Sequence, residues 1–318
     1  MTTSIQKWVE QIRAGNPRAL ARAITAVEDR APESQALLRE LFPHSGKARI
    51  IGLTGAPGAG KSTLVEGLAR EYRKRQKTVG IVAVDPTSPF TGGAILGDRI
   101  RMQAHHSDPG IYIRSMATRG SLGGLASTTA DVATVLDASG RDAVLIETVG
   151  VGQDEVDIVR LADITLVILV PGMGDDVQSI KAGIMEIADI FIINKSDREG
   201  ADRVEREVRA MQSLAVRADN WTPPIVKTIA NEGQGLSELA IAIAEYEHYL
   251  EKSQLGHRRR IDNWRTRLIE MLRAELMHRV TREYLSEDAA REFAAEITAH
   301  KRDPYTLVDE IAGRLARS

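Results

Sequence analysis

The chain has no cysteine, which excludes disulfides, thiolate metal centres and a cysteine nucleophile. It also has almost no net charge. Its 42 Lys and Arg against 44 Asp and Glu leave −2 at neutral pH, so no field of one sign draws it to nucleic acid or to an anionic membrane. Local basic runs such as His257-Arg258-Arg259-Arg260 read as solvated helix faces. Long apolar runs are missing too. The longest, Ile164 to Val170, stops at Pro171 and falls far short of the ~20 residues that span a bilayer. The N-terminus mixes Lys7, Glu10 and Arg13 with no apolar centre, so no signal peptide is expected. Together these absences predict a soluble, cytoplasmic protein without a membrane or nucleic-acid partner.

What is present is a phosphate-binding loop. Gly55-Ala56-Pro57-Gly58-Ala59-Gly60-Lys61-Ser62 matches G-x-x-x-x-G-K-[ST]. Glycines at 55, 58 and 60 let the backbone turn tightly and aim N–H groups at an anion. Pro57 shapes the loop but has no N–H to donate. Lys61 is placed to reach the β- and γ-phosphates, and the Ser62 hydroxyl to ligate Mg²⁺. The context is right: Arg49 to Thr54 reads as a short buried strand, and Leu64, Val65, Leu68, Ala69 and Tyr72 follow at helical spacing. The nucleotide is therefore expected on Gly55, Ala56, Gly58, Ala59, Gly60, Lys61, Ser62 and Thr63.

Around that loop, apolar runs alternate with amphipathic stretches of crossover length from residue 47 to 250. That alternation predicts an α/β fold, a mostly parallel sheet covered by helices on both faces, with ligands at the C-terminal strand ends. Residues 1–45 read as an amphipathic helical extension packed on the core and 46–250 as the nucleotide domain. Residues 251–318 read as a helical segment whose apolar stripe runs through Ile261, Trp264, Leu268, Leu272, Leu276 and Val280. Such a stripe either folds back on its own core or pairs with another copy. Its place past the last sheet element favours a homodimer contact.

Four further groups fall at strand ends. Asp85 in Val84-Asp85-Pro86 and Asp98 in Gly97-Asp98-Arg99 are candidates to hold Mg²⁺ or its water. Glu147 stands where nucleotide hydrolases of this layout carry an acid, with the Gly150 amide offered to the γ-phosphate. Asn194-Lys195-Ser196-Asp197 is the base-reading element. A carboxylate at Asp197 accepts from guanine N1–H and the 2-amino group; adenine offers neither, which leaves the acid facing an unpaired lone pair. Asn194 orients the loop and reaches the other base edge, the Lys195 stem lies on the base face, and the Ala230 N–H is offered to guanine O6. Asp175 and Asp176, with Lys181 one turn on, read either as a capped helix start or as a mobile element carrying nucleotide state to a partner. Val151 follows Gly150 where a water-orienting glutamine would stand, so intrinsic hydrolysis is expected to be slow and accelerated by a partner.

With these stretches assembled, the chain closely resembles the MeaB/ArgK family of P-loop GTPases, the chaperones of adenosylcobalamin-dependent methylmalonyl-CoA mutase. Gly55–Ser62, Val84–Gly93, Leu96–Met102, Glu147–Asp154, Gly174–Lys181 and Asn194–Asp197 carry the likeness, and the run from Asp85 to Met102 is its most specific part. The resemblance implies a homodimer, joined by its C-terminal helices, that hydrolyses GTP with Mg²⁺ and gates cofactor delivery to methylmalonyl-CoA mutase. It assigns the metal and catalytic roles to Lys61, Ser62, Asp85, Asp98 and Glu147. Two alternatives share the core chemistry. A nickel- or cobalt-handling GTPase would carry a histidine-rich tract, whereas seven histidines include one adjacent pair, His105-His106. A protein kinase of a transport-associated binding protein would need an acceptor-hydroxyl site, and no separate substrate motif is present.

Overall fold

The computed structural model describes residues 4–85, 108–117, 124–148, 161–172, 187–214 and 219–315. Three short helices come first: α1 (Ser4–Arg13), α2 (Pro17–Glu28) and α3 (Ser34–Leu41). The Asn16 side chain caps α2 by accepting from Arg18 N and Ala19 N at 3.0 and 3.1 Å. Pro17 sits at the start of the helix, where its missing N–H has no intrahelical partner to lose.

The chain then alternates: β1 (Arg49–Gly55), α4 (Lys61–Lys74), β2 (Val79–Asp85), β3 (Ile111–Ala117), α5 (Gly124–Ala138), β4 (Ala143–Glu147), β5 (Ile164–Leu169), β6 (Ile190–Asn194), α6 (Ala201–Leu214), β7 (Ile225–Thr228) and α7 (Leu236–Lys252). The seven strands form one sheet in the order β3-β2-β4-β1-β5-β6-β7, with every pairing parallel. This is the architecture that the alternating runs predict. β4, β5 and β6 are buried along their whole length, which is why they read as unbroken apolar runs.

Alternate residues of each strand feed opposite layers. Ile51, Leu53, Leu166, Ile168, Ile190 and Ile192 pack with Leu64 and Leu68 of α4 and Leu239 and Ile243 of α7. On the other face Val167, Leu169, Phe191 and Ile193 meet α6, while Val82, Val84, Val144 and Ile146 meet α5 and the N-terminal helices. Trp8, Ile12, Leu20, Ile24 and Leu37 belong to that last cluster, so α1–α3 share a core with the sheet. The Asp137 carboxylate of α5 fixes the passage into β1, accepting N–H from Gly46 and, at 3.1 and 2.8 Å, from Lys47 and Ala48.

Beyond α7 come α8 (Leu255–Glu283), α9 (Glu287–Thr298) and α10 (Pro304–Leu315). The chain divides into two compact units, residues 1–263 and 264–318. None of the 29 residues of α8 is buried, and Ile261, Leu268 and Leu272 are 54%, 62% and 60% exposed. The first turn of α8 corrects in part the reading of the basic run as a solvated face: His257, Arg258 and Arg260 are exposed, yet two of the arginines are paired. Arg259 donates to both oxygens of Asp189, at 2.9 and 3.0 Å, and Arg260 donates to Asp163 at 3.2 Å. A run of like charge in the sequence does not reveal carboxylates waiting at the roots of strands. Among the described residues no helix is long and apolar enough to cross a membrane.

Candidate functional site

The site lies at the C-terminal ends of β1, β4 and β6. β1 delivers the chain to Gly55, whose φ of 151° and crowded surroundings admit only glycine: a Cβ there would stand 2.4 Å from the Ile168 carbonyl oxygen. The loop closes at Gly60, φ 89°, where a Cβ would stand 2.4 Å from Asn194 Nδ2. α4 starts at the next residue. Its first N–H groups have no intrahelical partner and its dipole end is positive, so the loop together with this helix start suits an anion.

Lys61 is buried, and its amine donates to the carbonyls of Gly55 and Ala56 at 2.6 and 3.0 Å. The lysine is thus folded over its own loop, within reach of whatever the loop encloses. Ser62 and Thr63 follow in the first turn of α4, both half-buried. The Ser62 hydroxyl donates to Glu147 Oε1 at 2.6 Å. Glu147 is the last residue of β4 and is 5% exposed. A hydroxyl and a carboxylate this close are hard oxygen donors of the kind that Mg²⁺ takes, so the residues present fit such an ion.

Asp85 ends β2, two residues past Ala83, which pairs with Glu147 across the strands. Its backbone therefore reaches the same edge of the sheet. Asp98, Gly150, Asp175, Asp176 and Lys181 lie outside the described residues, as do His105, His106 and Val151.

The turn at residues 194–197, expected to read the base, is tied directly to the phosphate loop. Asn194 is 2% exposed and its amide is engaged on three sides. Nδ2 donates to the Ala59 carbonyl at 2.8 Å, and Oδ1 accepts from Thr228 Oγ1 at 3.0 Å and from the Ala230 N–H at 3.2 Å. These bonds tie the end of β6 to the phosphate loop and to the end of β7. The other base edge is not what this amide faces, and the Ala230 N–H offered to a purine O6 is spent on Asn194 at the long end of hydrogen-bond range. Lys195, in the left-handed region at φ 55°, extends its amine to the Gly58 carbonyl at 2.8 Å, so its stem bridges the two loops. Asp197 follows on the exposed side of the turn.

Thr228 was legible only as the end of a strand. Its 1% exposure and its bond to Asn194 make it the post on which the asparagine turns. The signal was a threonine ending one strand opposite an asparagine ending its neighbour, a pair that the register of β6 on β7 brings level.

A family profile described as methylmalonyl-CoA mutase-associated GTPase MeaB matches residues 20–284. A putative GTPase of Pyrococcus horikoshii is 45% identical over 316 residues, covering 98% of each chain. The GTPase ArgK of Escherichia coli is 37% identical over 253 residues, covering 77% of this chain and 76% of its own. Among solved structures, the crystal structure of an LAO/AO transport system kinase superposes with a TM-score of 0.72 at 25% identity, covering 98% of both chains.

Proposed function

Because this chain belongs to the MeaB family of P-loop GTPases and converts GTP and water to GDP and phosphate, we propose that it is a nucleotide-gated chaperone of an adenosylcobalamin-dependent methylmalonyl-CoA mutase. The observation that carries the reading is the Asn194 bridge, which joins the loop that would select guanine to the loop that would hold the phosphates. A nucleotide gripped at both ends by one bonded unit is bound as a whole, so a change at its γ-phosphate is felt throughout the site.

In this reading Lys61, the loop N–H groups and Thr63 bind the triphosphate. Ser62, Asp85, Asp98 and Glu147 would hold Mg²⁺ directly or through water, and the ion supplies charge neutralisation at the transferring phosphoryl group. Asp197 selects guanine. Lys195 covers the base and Gly150 meets the γ-phosphate. Asp175, Asp176 and Lys181 carry the nucleotide state to the partner. Two copies associate through the exposed stripe of α8, because seams of this length and exposure are ordinarily covered. The setting is cytoplasmic.

The test is to mix the purified chain with a methylmalonyl-CoA mutase in the presence of GDP or a slowly hydrolysed GTP analogue. Complex formation is read by light scattering and cofactor loading by cobalamin absorbance. The reading expects a complex whose affinity or loading rate differs between the two nucleotides. No complex with either nucleotide contradicts it.

A further inference from the structure

The two acids gripped by α8 occupy matching places in the sheet. Asp163 immediately precedes β5, and its Oδ2 accepts the Ile50 N–H of β1 at 3.0 Å. Asp189 immediately precedes β6, and its Oδ2 accepts the Thr165 N–H of β5 at 2.9 Å. Each carboxylate therefore staples two neighbouring strands at their roots, one joining β1 to β5 and the other β5 to β6. Those same three strands end in the phosphate loop, the Pro171-Gly172 loop and the guanine-reading loop.

Consecutive arginines of α8 take up the remaining capacity of both staples. Arg260 reaches Asp163, and one nitrogen of Arg259, Nη1, donates to both oxygens of Asp189, while Nη2 stands 3.5 Å from Asp219 and the guanidinium 5.7 Å above the Tyr246 ring. The Tyr246 hydroxyl completes the cluster with a 2.6 Å bond to Asp189 Oδ1. Asp189 is 1% exposed, so these bonds are what offsets the cost of burying its carboxylate. The helix that starts on this cluster is the one that carries the exposed apolar stripe.

We propose that Arg259 and Arg260 form a joint through which nucleotide state at the tips of β1, β5 and β6 alters the association of α8 with α8 of a second copy. The inference rests on the homodimer reading and adds to it the residues that connect the dimer to the nucleotide. A shear between adjacent strands would change the spacing of Asp163 and Asp189, and two neighbouring arginines anchored on both acids would pass part of that change to the start of α8. By linkage, the factor by which nucleotide changes dimer affinity equals the factor by which dimerisation changes nucleotide affinity.

The experiment uses the full chain in sedimentation velocity, with the dimer Kd measured in GDP and in a slowly hydrolysed GTP analogue. The comparison variant is D189N/R259M, which removes the joint without leaving a buried carboxylate alone. The wild type is expected to show at least about a fivefold difference in Kd between the two nucleotides. The variant is expected to dimerise with a difference below about twofold, the loss of coupling read as that fold-change. If D189N/R259M does not fold, R260Q is measured in its place and must also shrink the difference. A wild-type dimer with the same Kd in both nucleotides, or variants that keep the wild-type difference, overturns the joint and leaves the homodimer standing. A wild type monomeric in every state overturns both.

Discussion

The Ser62 hydroxyl stands 2.6 Å from Glu147 Oε1, joining the first turn of α4 to the tip of β4. Two residues 85 positions apart in sequence are thereby brought together beside the phosphate loop. In the proposed reading serine would provide a neutral ligand from the helix, and glutamate a charge from a strand buried along its whole length.

Ser62→Ala should weaken nucleotide binding in Mg²⁺ and abolish most of the difference between Mg²⁺ and EDTA. Glu147→Gln should leave GDP affinity within a few-fold and lower kcat by roughly a hundredfold, the usual scale for losing one group that stabilises transition-state charge. Fluorescent-nucleotide titration and single-turnover hydrolysis separate the two effects. Equal losses of binding in both variants would contradict the division of roles.

Gly60→Ala puts a Cβ 2.4 Å from Asn194 Nδ2 at a backbone φ of 89°. The strain costs about 1–2 kcal/mol, and displacing the asparagine separates the two halves of the site. Thr228→Val removes the hydroxyl that holds Asn194 Oδ1 and should cost about 1 kcal/mol of stability. Both variants should lose GTP affinity, the glycine variant more. A Gly60→Ala protein that binds GTP as the wild type does would show that Asn194 is free to move.

Burial, the largest influence, lifts the Asp189 carboxyl above its ordinary value, against the charge of Arg259 and the hydrogen bonds from Tyr246 and Thr165. A carboxyl with a folded pKa above its unfolded one contributes its full stability below the unfolded value, and loses it as pH rises through the folded one. Arg259→Met removes the largest opposing influence and so raises that carboxyl further. The variant should lose about 2–4 kcal/mol at neutral pH, the range set low because the guanidinium is one-third exposed. The gap to wild type should close as pH falls, and D189N/R259M should recover much of it at neutral pH. Urea unfolding of the three proteins across pH checks this; a gap independent of pH contradicts it.

Val151 stands where a water-orienting glutamine would be, so the isolated chain should turn GTP over slowly and a partner should raise kcat. Phosphate release measured alone and with the mutase tests this. Rapid turnover by the chain alone, unchanged by the mutase, contradicts it.

The sheet was readable because β4, β5 and β6 are buried on both faces and so announce themselves as continuous apolar runs between helical stretches. The phosphate loop was readable because its glycines answer local backbone needs that leave a fixed spacing. Contacts between distant residues were not readable. Nothing near Asn194 in the chain tells that its amide is committed to Ala59, Thr228 and Ala230. Nothing in the run from His257 to Arg260 tells that two of its members meet acids roughly 70 and 97 residues upstream. Charge pairing across a fold is set by topology, which composition does not carry.

Guanine selection by Asp197 is the central claim, and calorimetry of wild type and Asp197→Asn against GTP, ATP and xanthosine triphosphate tests it most directly. Xanthine carries a C2 carbonyl where guanine has an amine, so an amide at 197 donates where the carboxylate accepted. The wild type should bind GTP at least about tenfold more tightly than the other two, and the variant should reverse its preference toward xanthosine triphosphate by a similar factor. Wild-type protein that holds ATP as tightly as GTP, or a variant that keeps its preference for GTP, would contradict the account.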